Sequence, residues 1–148
     1  MKTQTLDFVA KDKDGNIFLI GEVKTNNLRG NAREQLKHYL NQYHGNISFG
    51  MLVDTENIQI FRWNEQELSE PIQILNTADI LRFYDPKFGQ KQIFESYLTT
   101  LVEAWLRDLA YHWKSPKPPA AAVMEEIGLL PHLADGTTEE EVELDIVR

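Results

Sequence analysis

Hydrophobic positions along the chain switch between two periods, and the switches mark its elements. Residues 5–10 (Thr-Leu-Asp-Phe-Val-Ala) read as a short apolar strand interrupted by one carboxylate. Asp12-Lys13-Asp14-Gly15-Asn16 follows, and its Asp-Gly and Gly-Asn steps supply the positive φ that a tight hairpin needs. The string Asp-x-Asp-Gly-Asn lacks the spacing and terminal Glu of a calcium loop, so a plain reversal is expected there. Residues 17–24 are apolar on both faces until the last positions, as in a central strand, and end in Glu22-Val23-Lys24. Asn31 with Glu34 has the form of a capping box and Gly45 is a stop, which predicts a helix over about 32–43.

The second half continues the alternation. Residues 47–53 form a buried strand, Asp54-Thr55-Glu56-Asn57 a turn, and 58–63 its hairpin partner. Residues 71–75 suit a short edge strand with Pro at its start, and Thr77 is expected to cap a short helix ending before Pro86. Between about 92 and 113, Phe94, Tyr97, Leu98, Leu101, Trp105, Leu109 and Trp113 recur at helical spacing. Ser115-Pro116-Lys117-Pro118-Pro119 then breaks the chain, before a possible helix near 120–127. Val142, Leu144 and Ile146 alternate with acids, which fits either a charged edge strand or a solvated tail. The expected organisation is one domain over residues 1–114, with 115–148 as a Pro-containing linker and an acidic segment packed on it or trailing from it.

Composition narrows the chemistry. A chain of 148 residues can bury a core without disulfides, and it has no cysteine, which removes thiolate metal sites and thiol nucleophiles. The four histidines form no cluster; His38 and His44 lie near the first helix. With no apolar stretch that would span a bilayer, a cytoplasmic protein is expected. The formal net charge of -8 sits mostly in the C-terminal 30 residues, which hold one base and eight acids. The first 44 residues hold seven bases and five acids, so overall acidity does not exclude a polyanionic partner.

Side chains two apart on a strand share a face, so Glu22 and Lys24 project together. The hairpin can bring Asp7 opposite them. Two converging carboxylates invite a cation, and oxygen ligands without His or Cys suit Mg²⁺ or Mn²⁺. On the helix, Gln35 and Tyr39 are four apart and share a face. Arg29, Arg33 and Lys37 flank the helix start, where they can meet phosphates.

The string Asp-x14-Glu-x-Lys followed by Gln-x-x-x-Tyr resembles the PD-(D/E)xK nuclease superfamily, and most its branch with a Gln-x-x-x-Tyr motif, as in RecB-type nucleases. The resemblance covers roughly residues 5–63. It implies an α/β, restriction-endonuclease-like mixed sheet flanked by helices. It also implies a Mg²⁺- or Mn²⁺-dependent hydrolase of phosphodiester bonds, with DNA as partner. Asp7, Glu22 and the Val23 backbone carbonyl would ligate the metal, Lys24 would serve the attacking water, and Gln35 and Tyr39 would position the site. Leu6 stands where many members have Pro. The sequence starts six residues before Asp7, short of the helix that usually precedes the first strand, so the expectation is either a truncated form or a fold in which the 92–113 helix or the C-terminal segment fills that space. Two other readings stay open: a restriction-endonuclease-like module that no longer cuts but binds DNA or a protein, and an interaction protein that pairs as a homodimer through residues 92–113.

Overall fold

In the computed structural model, which describes residues 2–25, 31–43, 45–90 and 92–146, these segments assemble into a three-layer α/β protein. The elements are β1 (Lys2–Lys11), β2 (Ile17–Val23), α1 (Asn31–Gln42), β3 (Phe49–Val53), β4 (Asn57–Arg62) and β5 (Gln73–Asn76). They continue with α2 (Thr77–Leu81), α3 (Glu95–Tyr111), α4 (Ala121–Glu126), α5 (Leu130–Leu133) and β6 (Thr137–Ile146). The strands form one mixed sheet in the order β5-β4-β3-β2-β1-β6. Only β2 and β3 run parallel, joined by the α1 crossover, while the remaining neighbours are antiparallel.

The expected turns form as their side chains dictate. The Asp12 carboxylate accepts the Asp14 and Asn16 amides, and Gly15 takes φ 86° at the tip of the first hairpin. Asp54 accepts the Glu56 and Asn57 amides in the same manner between β3 and β4. The cap of α2 differs from expectation. Asn76 is the N-cap, accepting the Asp79 amide at 3.0 Å, while the Thr77 hydroxyl turns back to the Asp54 carbonyl at 2.9 Å. The pairing of β5 with β4 fixes Asn57 opposite Asn76, so the strand runs up to Asn76 and the helix begins one residue later.

One face of the sheet carries α1, with Leu36, Tyr39 and Leu40 packed on Leu6, Val9, Ile20, Leu52 and Phe61. The other face carries α2 to α5 over a larger cluster that includes Phe8, Leu19, Val23, Phe49 and Met51. There Leu98, Leu101, Val102, Trp105, Leu106 and Leu109 of α3 are buried, and α3 packs across β6, β1 and β2. Trp105 is fully enclosed by its own chain, its indole N–H donating to the Pro119 carbonyl. Tyr97 and Tyr111 of the helix are exposed, as are Phe94 just before it and Trp113 just beyond it. Gly21 lies directly opposite Phe8, whose ring occupies the space a Cβ would need.

Of the two forms open to the C-terminal segment, the structure shows the edge strand: β6 pairs with β1 over nearly its whole length, from Lys11↔Thr137 to Lys2↔Ile146. A Lys11–Glu139 ion pair of 3.0 Å ties the two strands, and Arg107 of α3 binds both the hydroxyl and the carbonyl of Thr138.

Candidate functional site

The in-out alternation of β1 breaks at Asp7. Leu6 and Val9 pack toward α1, whereas Phe8 and Ala10 pack toward α3, so Leu6 and Phe8 point to opposite faces despite their spacing of two. The ladder with β6 passes from Leu6↔Val142 to Phe8↔Glu140 without an Asp7 pair, and Glu141 opposite takes φ 54°. Local irregularities of this kind re-aim a side chain. Here the Asp7 carboxylate turns to the end of β2, where its Oδ2 accepts the Val23 amide at 2.8 Å.

Glu22 lies in the middle of this arrangement. It shares the α1 face with Ile20 by strand parity and is only 3% exposed. Its Oε2 is buried and has no hydrogen-bond partner among the described residues. Burial and the neighbouring Asp7 carboxylate push its pKa up to about 8, opposed by the Lys24 ammonium and the Asp7 backbone amide. Asp7 is raised too, by burial first, against the Val23 hydrogen bond and the charge of Lys24. The structure therefore brings Asp7, Glu22 and Lys24 together at one end of β2, with the charge of Lys24 acting on both acids.

Helix α1 roofs the group. Tyr39 is almost buried, and its hydroxyl accepts the Gln35 side-chain amide at 3.1 Å. Burial raises the Tyr39 pKa, and the negative charges of Glu22 and Asp7 raise it further, so the phenol stands within electrostatic reach of both acids. Gln35 thus holds Tyr39 from the helix surface. Among the basic residues expected to meet phosphates, Arg33 is used internally. Its guanidinium donates to the carbonyls of Ser69 and Leu68 and stacks over Phe61. Lys37 is half-buried on the same helix, and Arg29 and His44 lie outside the described residues.

Glu95 is the participant that the sequence pattern does not single out. It opens α3, and its Oε2 accepts the Thr25 amide at 3.3 Å, one residue past Lys24. Its charge helps to raise both Asp7 and Glu22. An acid in the first turn of a helix is favourable in any protein, so the position carries no signal of its own. Only the fold, which lays the start of α3 beside the end of β2 across 70 residues, reveals it.

Among the described residues, no group of three or more His, Cys, Asp or Glu side chains is disposed to hold a metal ion. The donors that do converge are two carboxylates, one of them with a buried oxygen that no described residue satisfies. A buried orphan oxygen beside a second carboxylate is the environment that an oxygen-preferring divalent cation relieves. The residues present therefore fit Mg²⁺ or Mn²⁺ in type and charge. Among the described residues, no helix is long and apolar enough to cross a membrane. Comparison with protein-family models, with curated proteins and with solved structures finds no match to this chain.

Proposed function

We propose that this protein is a metal-dependent nuclease of restriction-endonuclease-like fold, hydrolysing phosphodiester bonds in DNA. The observation that carries the reading is the buried Glu22 Oε2, without a partner among the described residues, beside Asp7 and with Lys24 at the same strand end. A carboxylate that is costly to bury and lacks a partner is retained where it has work to do. The order β1–β2 hairpin, α1 crossover and parallel β3 agrees with the architecture the resemblance implies, with the motif at the end of β2 and Gln35 and Tyr39 on the crossover helix.

In this reading Asp7, Glu22 and the Val23 carbonyl hold the cation. When bound, Mg²⁺ or Mn²⁺ makes a water more acidic and offsets charge on the scissile phosphate. Lys24 orients the attacking water through its ammonium and stabilises negative charge that develops on the phosphate. Tyr39, held by Gln35, stands within electrostatic reach of Glu22 and Asp7 at the roof of the site. Glu95 anchors the turn after Lys24 through the Thr25 amide, fixing the lysine's approach.

The test is cleavage of end-labelled single- and double-stranded DNA in Mg²⁺ or Mn²⁺ by the wild-type chain and by Asp7→Asn, Glu22→Gln and Lys24→Ala. Metal-dependent cutting by the wild type alone is expected. Cutting unchanged by Glu22→Gln overturns the reading. A second reading, a binding module of the same fold that no longer cuts, is favoured by the disposition of the acids, no three of which among the described residues are placed to hold a metal ion. It predicts DNA or protein binding with no cleavage under any metal.

A further inference from the structure

Glu103 is a buried acid on the face of the sheet opposite Glu22, and the candidate site makes no use of it. It lies midway along α3 and meets the edge strand β6, where its Oε1 accepts the Thr138 hydroxyl at 2.7 Å. Thr138 and Glu140 stand two apart on β6, opposite Ala10 and Phe8 of β1, which both pack toward α3. The strand therefore presents Glu140 on the same side as Thr138, and its carboxyl group hydrogen-bonds with that of Glu103. An ionised carboxylate only accepts, so a bond between two carboxyl groups requires a proton on one of them.

Arg107, one turn further along α3, reaches Glu103 at 3.5 Å and also binds the hydroxyl and carbonyl of Thr138. The other charges nearby are engaged elsewhere. Glu139 is paired with Lys11 of β1, and Asp108 takes the Tyr84 hydroxyl and the Lys114 and Ser115 amides. On α5, which packs against α3 and β1, the His132 ring lies against Phe18 and Phe49, and Asp79 of α2 is exposed to solvent. Among the described residues, Glu103 therefore faces one opposite charge, on Arg107, and one like charge, on Glu140.

We propose that the Glu103–Glu140 pair is a proton-operated latch that fastens the edge strand β6 to α3. With one proton between them, the two carboxyl groups join helix and strand. When that proton leaves for solvent, a single guanidinium faces two negative charges, and β6 shifts toward a locally open state. Opening uncovers the outer edge of β1, the strand that carries Asp7. Burial first, and then the bond with Glu140, push Glu103 up to about 7, so the latch is closed below that pH and loosens as the pH rises through it. It needs neither metal nor DNA and operates whether or not the protein cuts.

The experiment is amide hydrogen exchange of the full chain at about pH 6 and about pH 8.5, corrected for intrinsic rates, with and without low urea. Protection of the amides of residues 138–143 is expected to fall about tenfold between the two, the weight of one pKa unit of closing free energy. Low urea should leave that exchange unchanged, the mark of a local opening, while speeding exchange in β3. Glu103→Gln, neutral at both pH values and able to keep both bonds, should remove the fall. Glu140→Gln, at an exposed position, removes the like charge and should remove most of it. Exchange in β6 that matches β3 in rate and urea dependence at both pH values means that β6 opens only with the whole fold, and overturns the latch. A fall that persists in both variants overturns it as well.

Discussion

On the face under α3, nearly every inward side chain is apolar, and the polar groups that do enter are satisfied. The Asp108 carboxylate takes the Tyr84 hydroxyl and the Lys114 and Ser115 amides, and Glu103 takes the Thr138 hydroxyl. On the face under α1, a single helix covers a thinner apolar cluster, and at the end of β2 that cluster gives way to Glu22 with an orphan oxygen. The sheet is common to both. The difference shows where this fold concentrates stability and where it tolerates an unfavourable arrangement.

The sharpest way to break that contrast is to damage each face once. Trp105→Ala removes a fully buried indole and its bond to Pro119, and should cost about 3–5 kcal/mol in denaturant unfolding. Glu22→Gln should do the reverse. It keeps the shape, removes the cost of holding the carboxyl protonated beside Asp7 at neutral pH, and in metal-free protein should add roughly 1 kcal/mol of stability. In metal it should lower DNA cleavage by about 10³-fold. A Glu22→Gln protein that unfolds more easily than wild type would mean that the carboxylate is structural.

The α3 face has a titrating group of its own. Burial and a hydrogen bond with Glu140 push the Glu103 pKa up to about 7, against the Thr138 hydrogen bond and Arg107. Its folded value lies above the ordinary carboxyl range, so the native state holds its proton longer than the unfolded chain. The associated stability is complete below about pH 4.5, falls as pH rises, and is gone above about 7. Glu22 acts in the same sense up to about pH 8 in metal-free protein, so the Glu22→Gln background removes its share and leaves Glu103 together with the raised Asp7. In that background, unfolding at pH 5 should require on the order of 1 kcal/mol more than at pH 8, and Glu103→Gln should reduce the difference. An unchanged pH slope in the double variant would exclude Glu103 as its source.

Much of this was legible in local pattern. The hairpin followed from Asp14-Gly15-Asn16, the central strand from its apolar run, and the shared face of Glu22 and Lys24 from strand parity. Parity alone could not place Asp7, because the alternation of β1 breaks at that residue, between Leu6 on one face and Phe8 on the other, and no local pattern shows it. Glu95 was hidden for the same reason, since its partner Thr25 lies on another element. Arg33 illustrates the opposite case. A base at a helix start suggested phosphate, but two backbone carbonyls at Leu68 and Ser69 claim it, and nothing in residues 29–37 announces that loop.

That pair of helix α1 bases yields the smallest and most discriminating prediction. Arg33 makes two bonds to backbone carbonyls and lies 5.2 Å over the Phe61 ring, all within the chain. Arg33→Ala should therefore cost about 1–2 kcal/mol of stability and leave the salt dependence of DNA binding unchanged. Lys37→Ala, on the same helix, should change stability by less than about 0.5 kcal/mol. If Lys37 meets a phosphate, its loss weakens DNA binding evenly across sequences and lowers the slope of log affinity against log salt by about one. Fluorescence anisotropy with one labelled duplex at several salt concentrations, alongside urea melts, measures both quantities. A reduced salt slope in Arg33→Ala at intact stability would return Arg33 to the DNA-binding surface, and an unchanged slope in Lys37→Ala would take Lys37 off it.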